Sequence, residues 1–505
     1  MAKKQSGICY LTGAGPGDLG LVTLKARAVL ETAEAVVYDA LCNPELLAWA
    51  PKEAEIIYAG KKAGAHTLPQ EDINALLVKL TREGKRVVRL KGGDPFLFGR
   101  GGEEAEALAE AKLAFEIIPG ISSALAAPAY AGIPVTHREH NAQLTLFTGH
   151  EDPSKPGSGV DYAQLATQPG VKVMLMGMER LEQIAAALLT HGAAPELPVA
   201  LVRWGTTQRQ QTVRGPLRDI AQIASEAGIT SPAVAVFGEV VALRDKLNWF
   251  ETKPLFGKRI VVTRSRAQAG TFSEALRALG ADAYELPTLR IEPPTDLLEF
   301  GHLVQDCHTY DWIVFTSPNG VDAFFKMFFK IYNDTREIGG VRIAAVGPAT
   351  AARIRDFHLH IDLQPEQFVA EAVVKAFQKD HTVENEKILI IRPEKARNVL
   401  STELAKMGAI VDEAIAYRTV PETDAAGIAR FQNEGADLIT FASSSAVENF
   451  AALKLPLPPG LLMASIGPAT SQTMRELGLR VDIEAKRHDI PGLTAAIRTY
   501  YGKNE

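Results

Sequence analysis

Short apolar runs alternate with amphipathic helical stretches along almost the whole chain, and this rhythm limits the folds open to it more than any other feature. Examples of the apolar runs are FEIIPG, LTLFTG, VKVMLMG and AVAVFGEVVAL. Such alternation is typical of α/β domains. It lapses in NWFETKPLFGKR, where a proline and a glycine stand among polar residues. We therefore predict two α/β domains, at residues 1–250 and 258–505, joined by a linker at 251–257.

The charge and the cysteine content narrow the classes of function. The chain has 505 residues and a formal net charge of -6, which argues against broad binding to nucleic acid. Its three cysteines are scattered, and the histidines of HREH, three residues apart, lack the further ligands that zinc needs, so we expect neither a disulfide nor a metal. No apolar run reaches membrane-spanning length. These features predict a cytoplasmic protein with no metal and with neither a nucleic-acid nor a membrane partner.

The segment GAGPGDLG, from Gly13 to Gly20, lies between an apolar run and a helix-like run and predicts a strand-to-helix turn. It contains G-x-G-x-x-G, and Asp39 follows at the distance of a dinucleotide fingerprint, so a nicotinamide-dependent oxidoreductase is one alternative. Against it, Pro16 offers no N–H to a phosphate, and the Asp18 carboxylate would repel one. A second glycine turn at 92–95 also carries an aspartate. Together the turns indicate one pocket for a cationic or uncharged ligand.

The second half contains an internal repeat. FTSPNGVDAFF at 315–325 is echoed by FASSSAVENF at 441–450, and AVGPATAARI at 345–354 by SIGPATSQTM at 465–474. The repeat predicts two similar α/β lobes. Each Ser or Thr in these turns is explained by helix capping alone. Four such turns paired across two lobes nevertheless indicate a cleft that binds carboxylates or phosphates at helix N-termini.

Seven motifs follow one another from about residue 7 to residue 250: YLTGAGPGD, YDALC, AGKKAG, VVRLKGGDPFLFGRGGEE, PGISSALAAPAYAGIPVTHR, TGH and LMGM. In this order and spacing they resemble uroporphyrinogen-III C-methyltransferase, a tetrapyrrole methylase that uses S-adenosylmethionine. The rest of the chain carries VTRSRAQAG, FTSPNGV, VGPATA, AYRTV, FASSSAV and IGPAT. These motifs are similar to uroporphyrinogen-III synthase, the enzyme that makes the methylase's substrate.

The resemblance implies an α/β tetrapyrrole methylase fold with subdomains at about 1–140 and 141–250, followed by a two-lobed α/β synthase fold. The synthase lobes are expected at about 258–289 with 420–505, and at 290–419. The resemblance also implies S-adenosylmethionine in the cleft between the subdomains and a homodimer formed by the methylase half. It assigns these residues to the cofactor: Pro16, Gly92, Gly93, Asp94, Leu97, Ser122, Ser123, Met176, Gly205, Pro232 and Ala233.

For the methylase half, the resemblance implies methylation of uroporphyrinogen III at C2 and C7 to give precorrin-2, in the sirohaem and cobalamin branch. Asp39 is then the candidate proton acceptor and Lys61 the candidate donor. Arg100 and Glu103 are candidates for substrate binding and proton removal, and which residue is the base stays open. Because the substrate carries many carboxylates, we expect further cationic partners for it: Lys62, Arg89, Lys91, His137 and Arg138.

For the synthase half, the resemblance implies cyclisation of hydroxymethylbilane to uroporphyrinogen III without a cofactor. The protein then has to fold a flexible substrate and hold its carboxylates. Tyr417 is the candidate to assist departure of the hydroxyl group, and a purely structural strand tyrosine is the alternative. A non-catalytic ligand-binding module is the alternative for the whole half. The residues assigned to the substrate are Ser317, Asn319, Thr350, Ser443, Ser444 and Thr470.

Overall fold

The computed structural model describes residues 7–60, 69–153, 159–264, 266–365, 370–380, 382–396 and 398–502. These residues form two compact units. The first comprises Met1–Lys258, Leu276–Asp282 and Tyr501–Glu505, and the second comprises Arg259–Ala275 and Ala283–Tyr500. Among the described residues, each unit has two five-stranded sheets flanked by helices. The α/β class predicted from the alternation of apolar runs and helices is confirmed.

The first sheet of the first unit is parallel throughout. Its strands are β1 (Ile8–Gly13), β2 (Ala35–Tyr38), β3 (Glu55–Tyr58), β4 (Arg86–Lys91) and β5 (Ala114–Ile118). They lie in the order β3-β2-β4-β1-β5. The helices are α1 (Leu24–Leu30), α2 (Gln70–Arg82), α3 (Gly101–Glu110) and α4 (Ser123–Tyr130). Because the strands are parallel, the turns that follow β1, β4 and β5 meet at one edge of the sheet.

The second sheet of the first unit is mixed. Its strands are β6 (Leu144–Thr148), β7 (Val171–Leu175), β8 (Pro198–Arg203), β9 (Gln211–Pro216) and β10 (Ala233–Phe237). They lie in the order β6-β7-β10-β8-β9, and β10 runs antiparallel to both of its neighbours. The helices are α5 (Tyr162–Thr167), α6 (Leu181–Thr190), α7 (Ile220–Glu226) and α8 (Arg244–Leu247). The start of β10 therefore lies beside the ends of β7 and β8.

The second unit has one sheet in each of two lobes. The first contains β11 (Arg259–Val262), β12 (Asp282–Glu285), β18 (Leu438–Phe441), β19 (Leu462–Ser465) and β20 (Ile483–Glu484), in the order β12-β11-β18-β19-β20. The second contains β13 (Leu289–Glu292), β14 (Trp312–Phe315), β15 (Arg342–Ala345), β16 (Lys387–Pro393) and β17 (Ile410–Pro421), in the order β13-β17-β16-β14-β15.

The helices of the second unit are α9 (Arg266–Ala278), α10 (Leu297–Gln305), α11 (Pro318–Ile331), α12 (Pro348–Arg355), α13 (Ala370–Asp380), α14 (Val399–Lys406), α15 (Ala425–Glu434), α16 (Ser444–Ala452), α17 (Pro468–Glu476) and α18 (Ile490–Tyr501). The repeat seen in the sequence is a repeat of structure. In one lobe β14 leads into α11 and β15 into α12; in the other, β18 leads into α16 and β19 into α17.

Short 3-10 helices complete the described elements: Leu19–Leu21, Pro44–Trp49, Met178–Arg180, Glu239–Leu243, Cys307–Thr309 and Thr335–Ile338. The buried core of each sheet is built from the apolar runs, as the sequence predicts. On α11, for example, Phe324, Phe325 and Phe328 are buried against Phe315 of β14. Burial of a phenylalanine side chain contributes about 1.5–3 kcal/mol. Within the described ranges, no helix has the length and apolar character needed to cross a membrane.

Candidate active sites

Four glycines meet where β1, β4 and β5 end. The N–H of Gly15 donates to the carbonyl of Gly93 at 3.2 Å, and the N–H of Gly93 donates to that of Gly15 at 2.7 Å. A Cβ added to Gly13 would lie 2.5 Å from the Cα of Gly120, and one added to Gly120 would overlap the Gly93 carbonyl. Gly93 has φ +68°, in the left-handed region that favours glycine. The edge of the sheet is thus a floor of bare backbone.

The two aspartates of these turns hold the backbone in place. The Asp94 carboxylate accepts from the N–H groups of Phe96 (2.8 Å) and Gly120 (2.9 Å). That of Asp18 accepts from the N–H of Gly20 and from the Tyr130 hydroxyl, both at 2.7 Å. Burial, and then the bond to Asp18, raises the pKa of Tyr130. Both carboxylates thus position the turns, and their selection of a cationic or uncharged ligand stays a prediction.

The dinucleotide fingerprint at Gly13–Gly20 does not form a dinucleotide site. Asp18 caps a 3-10 helix, and α1 begins only at Leu24, after Thr23 has capped it. In the Rossmann arrangement the glycine turn leads directly into the helix whose N-terminus meets the pyrophosphate, and the first strand pairs with the second. Here β1 lies between β4 and β5. The oxidoreductase alternative loses its structural basis.

A second group of the assigned residues converges on the mixed sheet. Met176 follows β7, Gly205 lies just after β8, Pro232 precedes β10 and Ala233 begins it. Antiparallel pairing places them together, since Ala233 lies opposite Arg203 and Val234 opposite Leu175. Met176 is 50% exposed and has φ +57°, an unusual backbone conformation for a side chain of its size. Such conformations concentrate at ligand sites.

The two groups are adjacent within the first unit. The N–H of Asp18 donates to the Thr206 hydroxyl at 3.2 Å, and a Cβ added to Gly205 would overlap Ala127 of α4. A Cβ on Gly93 would lie 3.7 Å from the Cα of Ser122, and the Ser122 hydroxyl caps α4. The remaining assigned residues lie nearby in the chain. Ser123 is the first residue of α4, and Pro16 lies between the two glycines of the first turn. A Cβ on Gly92 would collide with Leu41, and Leu97 packs against the buried residues of the mixed sheet.

Asp39 lies directly after β2, in contact with Arg89 of β4. Its Oδ1 accepts from the N–H of Leu41 at 3.1 Å, and its Oδ2 lies 3.6 Å from Nη2 of Arg89. Arg89 and Lys91 are buried and both bond Oε1 of Glu104, at 3.0 and 2.8 Å. The expectation that Arg89 and Lys91 meet substrate carboxylates is therefore corrected. Glu104, which satisfies both cations, was not among the predicted residues.

Arg100 and Glu103 form an exposed ion pair at the start of α3. The guanidinium donates to both carboxylate oxygens, at 2.8 and 2.7 Å. The bonds from Arg100 hold the pKa of Glu103 below its usual value. The structure brings the two candidates together, as expected, but Glu103 can accept a substrate proton only after its pair with Arg100 opens. Lys61, the candidate donor, and Lys62 lie outside the described residues.

The second unit brings together three of its predicted residues. Ser317 caps α11, and its Oγ lies 2.9 Å from the hydroxyl of Tyr417 on β17. Burial raises the pKa of Tyr417, while hydrogen bonds from Ser317 and Asn319 act in the opposite direction. The phenol therefore lies at a helix N-terminus, where the first-turn N–H groups have no intrahelical acceptor and favour an anion.

The other predicted substrate residues lie on the corresponding helices. Ser443 caps α16, and Ser444 accepts a 2.8 Å bond from Thr473 of α17. Thr350 and Thr470 lie in the first turns of α12 and α17, and both are buried. The substrate would thus meet backbone N–H groups at these two turns more readily than the threonine hydroxyls. That the turns of both lobes face one cleft stays a prediction.

Two residues that position the first site were missed. In the sequence, Glu104 cannot be distinguished from any acidic residue near the start of a helix, and Tyr130 cannot be distinguished from any aromatic residue near the end of one. The available signal was in β4, where VVRLK places Arg89 and Lys91 inside a run buried on both faces. Buried cations require anionic partners. Among the described residues, no group of three or more His, Cys, Asp or Glu side chains could hold a metal ion.

Comparison with known proteins identifies two families. Residues 9–221 match the family model of tetrapyrrole (corrin/porphyrin) methylases, and residues 270–495 match that of uroporphyrinogen-III synthase HemD. The resemblance drawn from the motifs is confirmed.

Three curated relatives show how far the similarity extends. Porphyrin biosynthesis protein HemD of Ruminiclostridium josui is 36% identical over 95% of this chain and 96% of its own length. Uroporphyrinogen-III C-methyltransferase of Bacillus subtilis (strain 168) is 38% identical over 72% of this chain and 74% of its own length. The S-adenosyl-L-methionine-dependent uroporphyrinogen III methyltransferase of Methanosarcina barkeri (strain Fusaro / DSM 804) is 52% identical over 48% of this chain and 94% of its own length.

Proposed function

The chain belongs to the tetrapyrrole methylases through its first half and to the uroporphyrinogen-III synthases through its second, and we propose that each half of this fused enzyme catalyses its family's reaction. The second half cyclises hydroxymethylbilane to uroporphyrinogen III. The first methylates that product at C2 and C7, giving precorrin-2. The approach of the glycine turns to α4 and to the loop after β8, with the end of β7 beside the start of β10, carries the methylase proposal, because residues assigned to the cofactor lie on these elements.

The residues of the first site suit S-adenosylmethionine, which when bound supplies an electrophilic methyl group. Gly13, Gly93 and Gly120 let the turns after β1, β4 and β5 pack backbone to backbone, since a Cβ on Gly13 or Gly120 would overlap the neighbouring turn, and the cofactor would lie against this floor. The turn at Gly92–Asp94, with Leu97, and the start of α4 at Ser122 and Ser123 form one wall. The second wall is formed by Met176, Gly205, Pro232 and Ala233. Pro16, in the first glycine turn, closes one end of the site.

Asp39 is the residue that takes the proton from the tetrapyrrole carbon, and Arg100 binds the substrate. Asp39 suits this role because its carboxylate is held at both oxygens before substrate arrives, so little reorganisation opposes the reaction. Glu103 orients Arg100 and accepts a proton once their pair opens. Lys61 is the proton donor.

In the second half, the Tyr417 phenol donates a proton to the hydroxyl that leaves hydroxymethylbilane. Ser317 and Asn319 orient that phenol and bind a substrate carboxylate at the start of α11. The turns at Thr350, Ser443, Ser444 and Thr470 bind further carboxylates. No cofactor takes part in this step, since the cationic intermediate needs chiefly to be folded and screened.

Association and location belong to the same proposal. The methylase half forms a homodimer in the cytoplasm. Support comes from large apolar side chains that the first unit leaves exposed, among them Leu24 and Phe96, at 88% and 56%. Sedimentation of the intact chain should give twice the monomer mass, and a monomer at micromolar concentration would contradict this part.

One experiment tests both activities. The intact chain is incubated with hydroxymethylbilane and S-adenosylmethionine, and the products are separated and identified by mass. We expect the isomer III macrocycle carrying two added methyl groups, and unmethylated isomer III when the methyl donor is omitted. Isomer I alone would contradict the synthase assignment. Unmethylated isomer III in the presence of the donor would contradict the methylase assignment. Equilibrium binding of NAD(P) in place of S-adenosylmethionine would restore the oxidoreductase alternative.

A further inference from the structure

Four charged side chains form a cluster beneath the end of β2, in the first unit. We call Asp39, Arg89, Lys91 and Glu104 the Arg89 cluster. Arg89 is 3% exposed, Lys91 4% and Glu104 0%, whereas the side chain of Asp39 is 26% exposed. Asp39 is thus the only member that a substrate can reach without rearrangement.

Arg89 is fixed by contacts through all three of its guanidinium nitrogens. Nε donates to Oε1 of Glu104 at 3.0 Å, Nη1 faces the carbonyls of Val37 (3.4 Å) and Leu90 (3.2 Å), and Nη2 lies 3.6 Å from Oδ2 of Asp39. Val37 precedes Asp39 by two residues and is paired with Arg89 in the sheet register. The planar guanidinium of Arg89 therefore contacts both the backbone of β2 and the Asp39 carboxylate that follows it.

Glu104 anchors this arrangement from α3. Its Oε1 accepts from Arg89, from Lys91 and, at 3.3 Å, from Gln70. Its Oε2 is buried without a hydrogen-bond partner among the described residues. Because Oε1 accepts from both cations, Glu104 fixes the orientation of the Arg89 guanidinium.

The charges of the cluster balance only when Asp39 is counted. Two buried cations face one fully buried carboxylate, and Asp39 is the second carboxylate within 4 Å. Burial, and then the neighbouring charge of Arg89, lowers the pKa of Lys91, as expected where positive charge is crowded. An ionised Asp39 relieves that crowding, and in return Oδ2 is drawn toward Nη2 while Oδ1 is held by the N–H of Leu41.

We propose that Arg89, anchored by Glu104, is a positioning residue for methyl transfer: it holds the Asp39 carboxylate in the orientation that receives the substrate proton. This inference rests on the proposed function of Asp39. A carboxylate misplaced by a fraction of an ångström loses much of its rate advantage, whereas binding of cofactor and substrate depends on other residues. The effect of Arg89 therefore lies in kcat.

The test is a double-mutant cycle in the intact chain with Arg89→Lys and Asp39→Asn. Lysine keeps the charge but cannot reach Val37, Glu104 and Asp39 together. We expect Arg89→Lys to lower kcat for methylation of supplied uroporphyrinogen III by roughly 10- to 100-fold. KM for the tetrapyrrole and Kd for S-adenosylmethionine should stay within about twofold of wild type. In the Asp39→Asn background, Arg89→Lys should have little further effect, because its role is exerted through Asp39.

Arg86→Lys is the matched control, since Arg86 lies on the same strand, is exposed, and reaches Glu34 only at 4.0 Å. It should leave every constant unchanged. Multiplicative effects of Arg89→Lys and Asp39→Asn would overturn the inference, as would a change in KM or Kd without one in kcat. Should Arg89→Lys fail to fold, Glu104→Gln replaces it in the cycle, with Glu106→Gln on the same helix as its control, and the same outcomes decide. Wild-type methylation by Asp39→Asn would instead overturn the proposed role of Asp39 itself.

Discussion

Two carboxylates compete for the role of base, and their surroundings differ at the level of single atoms. Asp39 is held by one backbone N–H and lies at 3.6 Å from a buried guanidinium. Glu103 is engaged at both oxygens by an exposed arginine, and those bonds hold its pKa low. A lowered pKa makes Glu103 a weaker proton acceptor than a free glutamate until Arg100 turns toward a substrate carboxylate. We therefore expect the two residues to act at different stages of the reaction.

Replacing Glu103 tests this division. Glu103→Gln keeps the shape of the side chain and removes its charge, so Arg100 loses its partner. We expect methyl transfer to fall well below wild type while binding of S-adenosylmethionine persists, measured by initial rates and by calorimetric titration. Glu106→Gln, an exposed site on the same helix, controls for loss of a negative charge. Wild-type turnover in Glu103→Gln would remove Glu103 from the mechanism.

Tyr417 carries a pH prediction. Since burial raises its pKa, the phenol stays protonated, and able to donate, beyond the usual value of about 10. The rate of uroporphyrinogen III formation should therefore show no decline from loss of this proton between about pH 7 and pH 9.5. Tyr417→Phe should slow cyclisation at every pH in that range and leave methylation unchanged.

Tyr310→Phe is the matched control for Tyr417→Phe. Tyr310 is also buried in the second unit, and its hydroxyl bonds the Asp412 carboxylate at 2.8 Å. Each substitution removes the hydrogen bonds of one phenol hydroxyl, each worth about 1 kcal/mol of stability. Only the change at Tyr417 should alter the ratio of isomer III to isomer I. An unchanged ratio would favour the purely structural alternative for Tyr417.

At the scale of elements, the first site depends on turns whose backbone conformation favours glycine. The turn after β4 passes through Gly93 at φ +68°, while its carbonyl bonds the turn after β1. A side chain at this position strains the backbone by roughly 1–2 kcal/mol. The strain would be relieved by moving the turn, and with it the wall of the cofactor site.

Gly93→Ala should therefore weaken binding of S-adenosylmethionine at least tenfold, measured by calorimetric titration. Gly228→Ala is the matched control, because Gly228 has φ +65° and follows α7 with open space around its missing Cβ. The melting temperatures of both variants should fall by a similar amount relative to wild type. Equal affinity in Gly93→Ala and wild type would show that the turn after β4 does not hold the cofactor.

At the scale of the whole molecule, the two family matches fall on opposite sides of the lapse in periodicity near residue 250. Each side has sheets and buried clusters of its own. Both properties are those of domains that fold independently.

Separated halves should retain their activities. Residues 1–252 should methylate supplied uroporphyrinogen III, and residues 254–505 should cyclise hydroxymethylbilane without S-adenosylmethionine. Each rate is compared with that of the intact chain after circular dichroism has shown that the piece is folded. If a folded piece is inactive and mixing the two restores its activity, a site is shared across the boundary and the assignment of one enzyme to each half is wrong.

The sequence by itself determined the features that depend on near neighbours. Apolar alternation located strands such as β5, β6, β7 and β10, and the echoed turns predicted the repeated strand-to-helix units of the second half. Capping serines at 317 and 443 marked two helix starts. These features follow from local backbone preferences and periodicity, which a short window of residues already contains. The motifs added the families, since their order spans each half.

Only the tertiary structure decided how distant segments meet. It reversed β10 against β7 and β8, which places the start of β10 beside the end of β7. It also bonded Asp94 to the Gly120 N–H and Asp18 to the Tyr130 hydroxyl. It also buried Arg89 and Lys91 against Glu104, thirteen or more residues away in the chain. The physical reason is that buried charges and backbone groups without hydrogen bonds cost free energy, and strand order and ion pairing lower that cost over the whole fold. A local sequence pattern does not contain these long-range partners.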